Sequence, residues 1–235
     1  MSMQILVTGG AGFLGSHLCE ALLNMGHKVV CVDNFYTGDA DNVAHLRTNP
    51  HFELMRHDVT FPLYVEVDGI FNLACPASPV HYQRDPVQTF KTSVHGAINM
   101  LGLAKRTGAR FLQASTSEIY GDIKTFPIDE SGVPLPKTVY GSSKLAGENY
   151  AYSYHQCFGL PTTVLRIFNN YGPRAHHEGD AGEIIPRNIV NILYGKAPVI
   201  FGDGQVTRDF FFVKDTAEAL TRLLRIEHLQ GQIIN

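Results

Sequence analysis

The octapeptide Thr8-Gly9-Gly10-Ala11-Gly12-Phe13-Leu14-Gly15 follows an apolar run, Gln4 to Val7, and leads into a stretch with helical spacing, Ser16 to Asn24. An apolar run bounded by glycines suits a strand buried on both faces. Gly26 closes the helix. The reading is strand, glycine turn, helix. Such a turn needs glycines because a Cβ would keep an anion away from the backbone N–H groups at the helix N-terminus. Gly10, Gly12 and Gly15 fit G-x-G-x-x-G, and Gly9, Gly12 and Gly15 fit G-x-x-G-x-x-G. Glycine clusters also make ordinary turns, so the flanking strand and helix give this one its weight.

Working outward, Lys28 to Val32 is a second strand, ending in Asp33. A carboxylate there accepts bonds from the ribose hydroxyls of an adenosine and repels a 2′-phosphate, which favours NAD over NADP. Candidate cofactor contacts are Gly9, Gly12, Phe13, Leu14 and Gly15 in the turn, with Asp33 and Asn34 after the second strand. Further candidates are Asp58 and Val59, after the strand Phe52 to His57, and Leu73 and Ala74, at the end of the strand Ile70 to Ala74. Asp58 reads equally well as a carboxylate capping a loop.

Pro86 to Thr107 reads as a long helix whose Val87, Phe90, Val94, Ile98, Leu101 and Ala104 share one face, stopped by Gly108. Arg110 to Ala114 is a strand, Tyr140 to Phe158 a helix and Thr162 to Ile167 a strand. Strands alternating with helices predict an α/β fold: a Rossmann-type, doubly wound parallel sheet covered on both faces. From Asn169 the texture turns to loops, at Gly172-Pro173, His176-His177 and Gly179 to Gly182. Residues 1–168 are therefore read as a nucleotide-binding domain and 169–208 as part of a smaller substrate lobe. Residues 209–235 read as a strand, Phe210 to Val213, and a helix returning to the first domain. The chain stops at Gly231-Gln232-Ile233-Ile234-Asn235, which reads as a strand just beginning: either the protein is naturally short or something downstream, including part of the interleaved lobe, is missing.

A chain of 235 residues with 44% hydrophobic and 17% charged residues can pack one good-sized domain and a small lobe. The net charge of −3 and the lack of a dense basic run give nucleic-acid or anionic-membrane binding no electrostatic support. No signal peptide and no membrane span are expected. Cys19, Cys31, Cys75 and Cys157 form no C-x-x-C pair, so buried, reduced thiols of a cytoplasmic protein are expected. His176, His177 and Glu178 lack a well-spaced third ligand and read as a loop, so no metal is expected.

Tyr140-Gly-Ser-Ser-Lys144 puts two side chains four apart on one helix face. A free Tyr titrates near ~10 and is a poor base at neutral pH, whereas a neighbouring ammonium favours its phenolate. Thr116 or Ser115, at the preceding strand end, could offer a hydroxyl to the same reacting oxygen. Glu118 is either a further catalytic group, with Ser117, or a loop cap. Ser78 and Tyr82 follow the fourth strand, on the side where ligands enter such sheets.

These residues carry a resemblance. Thr8 to Gly15, Tyr140-x-x-x-Lys144, Arg166-Ile-Phe-Asn-Asn-Tyr-Gly-Pro-Arg174 and Arg208-Asp-Phe-Phe-Phe-Val213 resemble the extended short-chain dehydrogenases/reductases of the nucleotide-sugar epimerase/dehydratase/decarboxylase group. Leu73-Ala-Cys-Pro-Ala-Ser-Pro79 and Ala114-Ser-Thr-Ser-Glu-Ile-Tyr-Gly-Asp122 are most similar to the UDP-glucuronate decarboxylases of that group. The resemblance implies bound NAD, a UDP-sugar, Tyr140 and Lys144 as catalytic pair with Thr116, Glu118 and Ser117, and Asn169 and Arg208 on the substrate. It also implies a homodimer built on the Pro86 and Tyr140 helices. Tyr140-Gly-Ser-Ser-Lys144 departs from the decarboxylases' Tyr-Asp-Glu-Gly-Lys toward the 4-epimerases. Thr116-Ser117-Glu118 is shared with some 4,6-dehydratases. Both reactions stay open, as does, more remotely, a non-catalytic NAD sensor.

Overall fold

A computed structural model describes residues 2–123, 126–177 and 183–235. Glu178 and the Gly179 to Gly182 loop, named above, lie outside the described residues.

The main sheet has seven parallel strands: β1 (Gln4–Thr8), β2 (Lys28–Asp33), β3 (Phe52–Arg56), β4 (Gly69–Asn72), β5 (Arg110–Thr116), β6 (Thr162–Ile167) and β9 (Ile233–Ile234). Their order is β3-β2-β1-β4-β5-β6-β9. The chain starts at the centre, winds outward one way and then returns to wind the other. That reversal opens a crevice beyond the C-terminal ends of β1 and β4. The fold is the doubly wound, Rossmann-type α/β sheet that the alternation implied.

Strand β1 shows how the layers form. Its alternate residues point to opposite faces. Ile5 and Val7 enter a core with Leu18, Leu22 and Leu220 from α1 (Phe13–Asn24) and α6 (Val213–Leu223). Leu6 enters a second core with Met100 and Leu101 of α3 (Pro86–Thr107) and Ala151 of α4 (Val139–Phe158). Burying a side chain of this size contributes roughly 1.5–3 kcal/mol.

Helix ends follow local chemistry. Asp85 caps α3 by accepting from Gln88 N at 2.9 Å, and Gly108 ends it at a φ of 72°. Thr138 caps α4 by accepting from Gly141 N at 2.9 Å. Helix α1 begins at Phe13, three residues before the periodic stretch, because its first turn is built on Gly12 and Gly15.

Three expectations need correction. On α3, Val94, Leu101 and Ala104 are buried, but Val87, Phe90 and Ile98 are exposed. The covered face is set by small residues, Ser93, Gly96 and Ala97, which let neighbours approach closely. A Cβ on Gly96 would lie 2.9 Å from a Val59 methyl. Phe210 to Phe212, β8, does not rejoin the main sheet; it pairs in parallel with β7 (Asn169–Tyr171), and it is α6 and β9 that return. Of the cysteines, Cys19 and Cys31 are buried, Cys75 is half-buried and Cys157 is exposed. Two further helices were not expected: α2 (Pro79–Arg84), and α5 (Ile184–Leu193) within the stretch read as loop.

Candidate active site

One cavity of about 770 Å³ lies over the C-terminal ends of the strands. Its wall joins the glycine turn, Asp33, the β5 end and the Tyr140 helix to the segment beyond Asn169.

Gly9 has a φ of 66°, which favours glycine. Gly15 packs so tightly on the turn that a Cβ would lie 2.1 Å from the Gly9 carbonyl. Gly12 precedes the first helical residue and no side chain caps it. The first N–H groups of α1, which helix geometry leaves without intrahelical partners, therefore start on the cavity wall at Phe13 and Leu14. Asp33 is buried beside them; it accepts from Ala11 N at 3.0 Å and from Phe35 N at 2.8 Å. Burial raises its pKa, and those N–H groups pull it back.

Asn34 and Val59 line the same end, as do Leu73 and Ala74 after β4. Asp58 is not on the wall. Its Oδ1 accepts from Thr60 N at 2.9 Å and from the Thr60 hydroxyl at 2.8 Å, and its Oδ2 from Asn34 Nδ2 at 3.2 Å. Asp58 caps the turn after β3 and steadies Asn34.

Tyr140, Lys144, Thr116, Ser117 and Glu118 all reach the wall. Thr116 acts on the Tyr140 phenol in the direction that favours its ionised form. Ser115, the other hydroxyl considered, instead donates to Glu148. Burial raises the Tyr140 pKa well above the usual phenol range; Cys75 and Glu118 add to this, and Thr116 opposes it. Lys144, expected to bring the phenol down, does not outweigh its burial. Its Nζ donates to the Ala114 carbonyl at 3.1 Å and lies 5.7 Å from the Tyr140 ring centroid, and burial lowers its own pKa. Burial raises the Glu118 pKa too, opposed by a bond from the Thr138 hydroxyl at 2.9 Å and by the Arg208 charge.

On the other wall are Ser78, Asn169 and Arg208. Asn169 Nδ2 donates to the Asp209 carbonyl at 3.2 Å, and Arg208 Nη1 to the Thr207 carbonyl at 2.8 Å. Arg208 forms no ion pair with Asp209 or Asp215 among the described residues. Tyr82 stands behind the wall. Its ring stacks on Tyr140 with centroids 5.4 Å apart and planes 9° from parallel. His176 reaches the wall, in edge contact with His81. Two features escaped the sequence reading. Arg187 and Glu183 line the cavity from α5 and the residue before it. A buried pair, Arg166 and Glu148, ties β6 to α4 with Nη2 to Oε2 at 2.8 Å.

An anion cradle, a ribose-side carboxylate and a Tyr–Thr pair on one cavity suit oxidation at a hydroxyl-bearing carbon of a bound substrate. Residues 5–235 match the NAD dependent epimerase/dehydratase family. The chain belongs to that family. UDP-glucuronic acid decarboxylase 1 of Arabidopsis thaliana is 46% identical over 232 residues, 97% of this chain and 53% of the relative. The chain thus spans about half the length of the curated relatives it matches. Within the same family's fold, the UDP-N-acetylglucosamine 4-epimerase of Methanobrevibacter ruminantium superposes with a TM-score of 0.93 at 30% identity, over 100% of this chain and 76% of that one. The UDP-glucuronic acid 4-epimerase of Bacillus cereus, solved with UDP-glucuronic acid and NAD, gives 0.89 at 32%, over 99% and 77%.

Proposed function

We propose that this family member binds NAD and a UDP-sugar, and that it decarboxylates UDP-glucuronate to UDP-xylose through a 4-keto intermediate, a lyase reaction. The observation that carries the reading is the convergence of Tyr140, Thr116 and Glu118 on the cavity that also holds the glycine turn and Asp33. The residues fit the cofactor: Phe13 and Leu14 offer N–H groups to its pyrophosphate, and Asp33 offers a carboxylate to its adenosine ribose. Bound NAD⁺ supplies a hydride acceptor, later the donor, and a positive charge near the phenol, so no outside reductant is needed.

Tyr140, as phenolate, takes the proton of the sugar C4 hydroxyl, and Thr116 holds the same oxygen. Lys144 adds positive charge beside the phenol. Oxidation at C4 turns the C6 carboxylate into that of a β-keto acid. Loss of CO₂ leaves an enolate; C5 takes a proton, C4 regains its hydride and the C4 oxygen takes its proton back from Tyr140, giving the pentose and restoring the phenolate. Glu118 and Ser117 position the sugar and assist the proton at C5. Asn169, Ser78 and Arg208 hold the substrate, Arg208 through its charge. Residues 169–208 thus serve as part of the substrate lobe.

The 4-epimerase reading retains specific support in Tyr140-Gly-Ser-Ser-Lys144 and in the likeness to the Bacillus cereus epimerase. Incubation with UDP-glucuronate and NAD decides between them. Release of CO₂ with a UDP-pentose is expected, whereas a C4-inverted uronate without CO₂ makes the protein an epimerase. The Asp33 role has its own check. Asp33→Asn should lower the ratio of NAD to NADP affinity by roughly tenfold; an unchanged ratio removes Asp33 from the ribose.

A homodimer is supported by Val87, Phe90 and Ile98 on α3 and by Tyr150 and Tyr152 on α4, apolar or aromatic side chains left exposed on two helices that pack together. Free thiols at all four cysteines suit a reducing, cytoplasmic setting. Among the described residues no helix is long and apolar enough to cross a membrane.

A further inference from the structure

Among the described residues, Arg187 is the one lysine or arginine on the cavity wall that the reaction above does not use. It sits on α5, its N–H bonded to the Glu183 carbonyl at 3.0 Å. Its guanidinium lies over the Phe201 ring, 4.8 Å from Cζ to centroid. Its Nε is buried with no hydrogen-bond partner among the described residues. No carboxylate forms an ion pair with it among the described residues. A buried guanidinium N–H without an acceptor costs free energy, and a planar fork held on an aromatic face is pre-oriented to receive a bidentate anion.

We propose that Arg187 is a substrate-binding residue that receives the diphosphate of the nucleotide sugar, with Phe201 as the platform that aims it. The inference rests on the nucleotide-sugar reading above and adds a recognition residue to it. Of the anions in such a substrate, the diphosphate fits best. The sugar carboxylate belongs near Tyr140 and Glu118, where the reaction occurs. Arg187 stands instead on the α5 side, among Ile184, Ile200 and Phe201. Glu183, on the same wall, is solvent-exposed, so water and salt screen its carboxylate from an anion held by Arg187.

The test uses UDP, which carries the diphosphate and no sugar. Calorimetry on the NAD-loaded protein should show Arg187→Ala weakening UDP and UDP-glucuronate alike, by roughly tenfold or more. Arg187→Lys should recover part of the loss, since it restores charge without the fork. NAD affinity should stay unchanged in both variants. Weakened UDP-glucuronate with unaltered UDP would place Arg187 on the carboxylate, and weakened NAD would place it on the cofactor; either overturns the proposal, as does unaltered UDP affinity throughout. Failure of the wild-type protein to bind any UDP-sugar would instead overturn the reading beneath it.

Discussion

Tyr140→Phe should lower turnover of the nucleotide sugar by roughly 10²–10⁴-fold while leaving NAD affinity within about twofold. The substitution removes one oxygen and keeps the ring that stacks on Tyr82. Without that oxygen the wall loses the group placed to take the sugar C4 proton. Thr116 has a hydroxyl, but not one that ionises in the useful range. The pH dependence gives a second signature. Burial holds the phenol above its ordinary range, so the reactive phenolate is the minor form near neutrality. Wild-type turnover should therefore rise with pH until the phenol has ionised, at a pH lowered by nearby positive charge. Residual turnover in Tyr140→Phe should lack that rise. A variant retaining more than a tenth of the wild-type rate, with the same pH limb, would take the general base away from Tyr140.

The largest stability effect is expected at Glu148. Its carboxylate accepts from Arg166 Nε at 3.0 Å and Nη2 at 2.8 Å, and from the Ser115 hydroxyl. Arg166 Nη1 donates to the Tyr120 hydroxyl at 2.6 Å. Both charges are almost fully enclosed, at 4% and 1% side-chain exposure. Glu148→Ala leaves the guanidinium buried without its counter-charge, which costs about 3–5 kcal/mol. For a chain of this size that lowers Tm by roughly 10 °C. The double replacement Glu148→Met with Arg166→Met should regain much of the loss, because the penalty comes from the unpaired charge. If Glu148→Ala unfolds within about 2 °C of wild type, the pair does not lock α4 to β5 and β6. The lock matters to the site because Ser115 precedes Thr116 and α4 carries Tyr140.

Local chemistry made much of this legible. Asp85-Pro86 and Gly108 fix the ends of α3 within the chain itself, and the glycine turn between an apolar run and a helix fixes the cofactor end of the cavity. What depends on distant partners stayed hidden. The period of Val87, Phe90 and Ile98 says that they share a face, not which neighbour covers it. Asp58 reads as binder or cap until Thr60 and Asn34 are seen to occupy its oxygens. Its position after β4 puts Tyr82 near the substrate, and it is the stacking with Tyr140 that sets it behind the wall. Helix α5 carries a readable stripe, Ile185, Ile189, Ile192 and Leu193 at helical spacing, but none of its residues is buried, and the glycines around it hide the helix in a stretch that reads as loop. Arg166 does carry a signal in the sequence: a lone cation in an apolar strand needs a buried anion.

A crystal structure of the protein with NAD and UDP-glucuronate tests the central claim most directly. The pyrophosphate of NAD should lie against the Phe13 and Leu14 N–H groups. The Tyr140 oxygen should stand within hydrogen-bond reach, about 2.6–3.2 Å, of the sugar C4 oxygen. A diphosphate bound away from the glycine turn, or a Tyr140 hydroxyl pointing out of the cavity with the sugar elsewhere, would contradict the account.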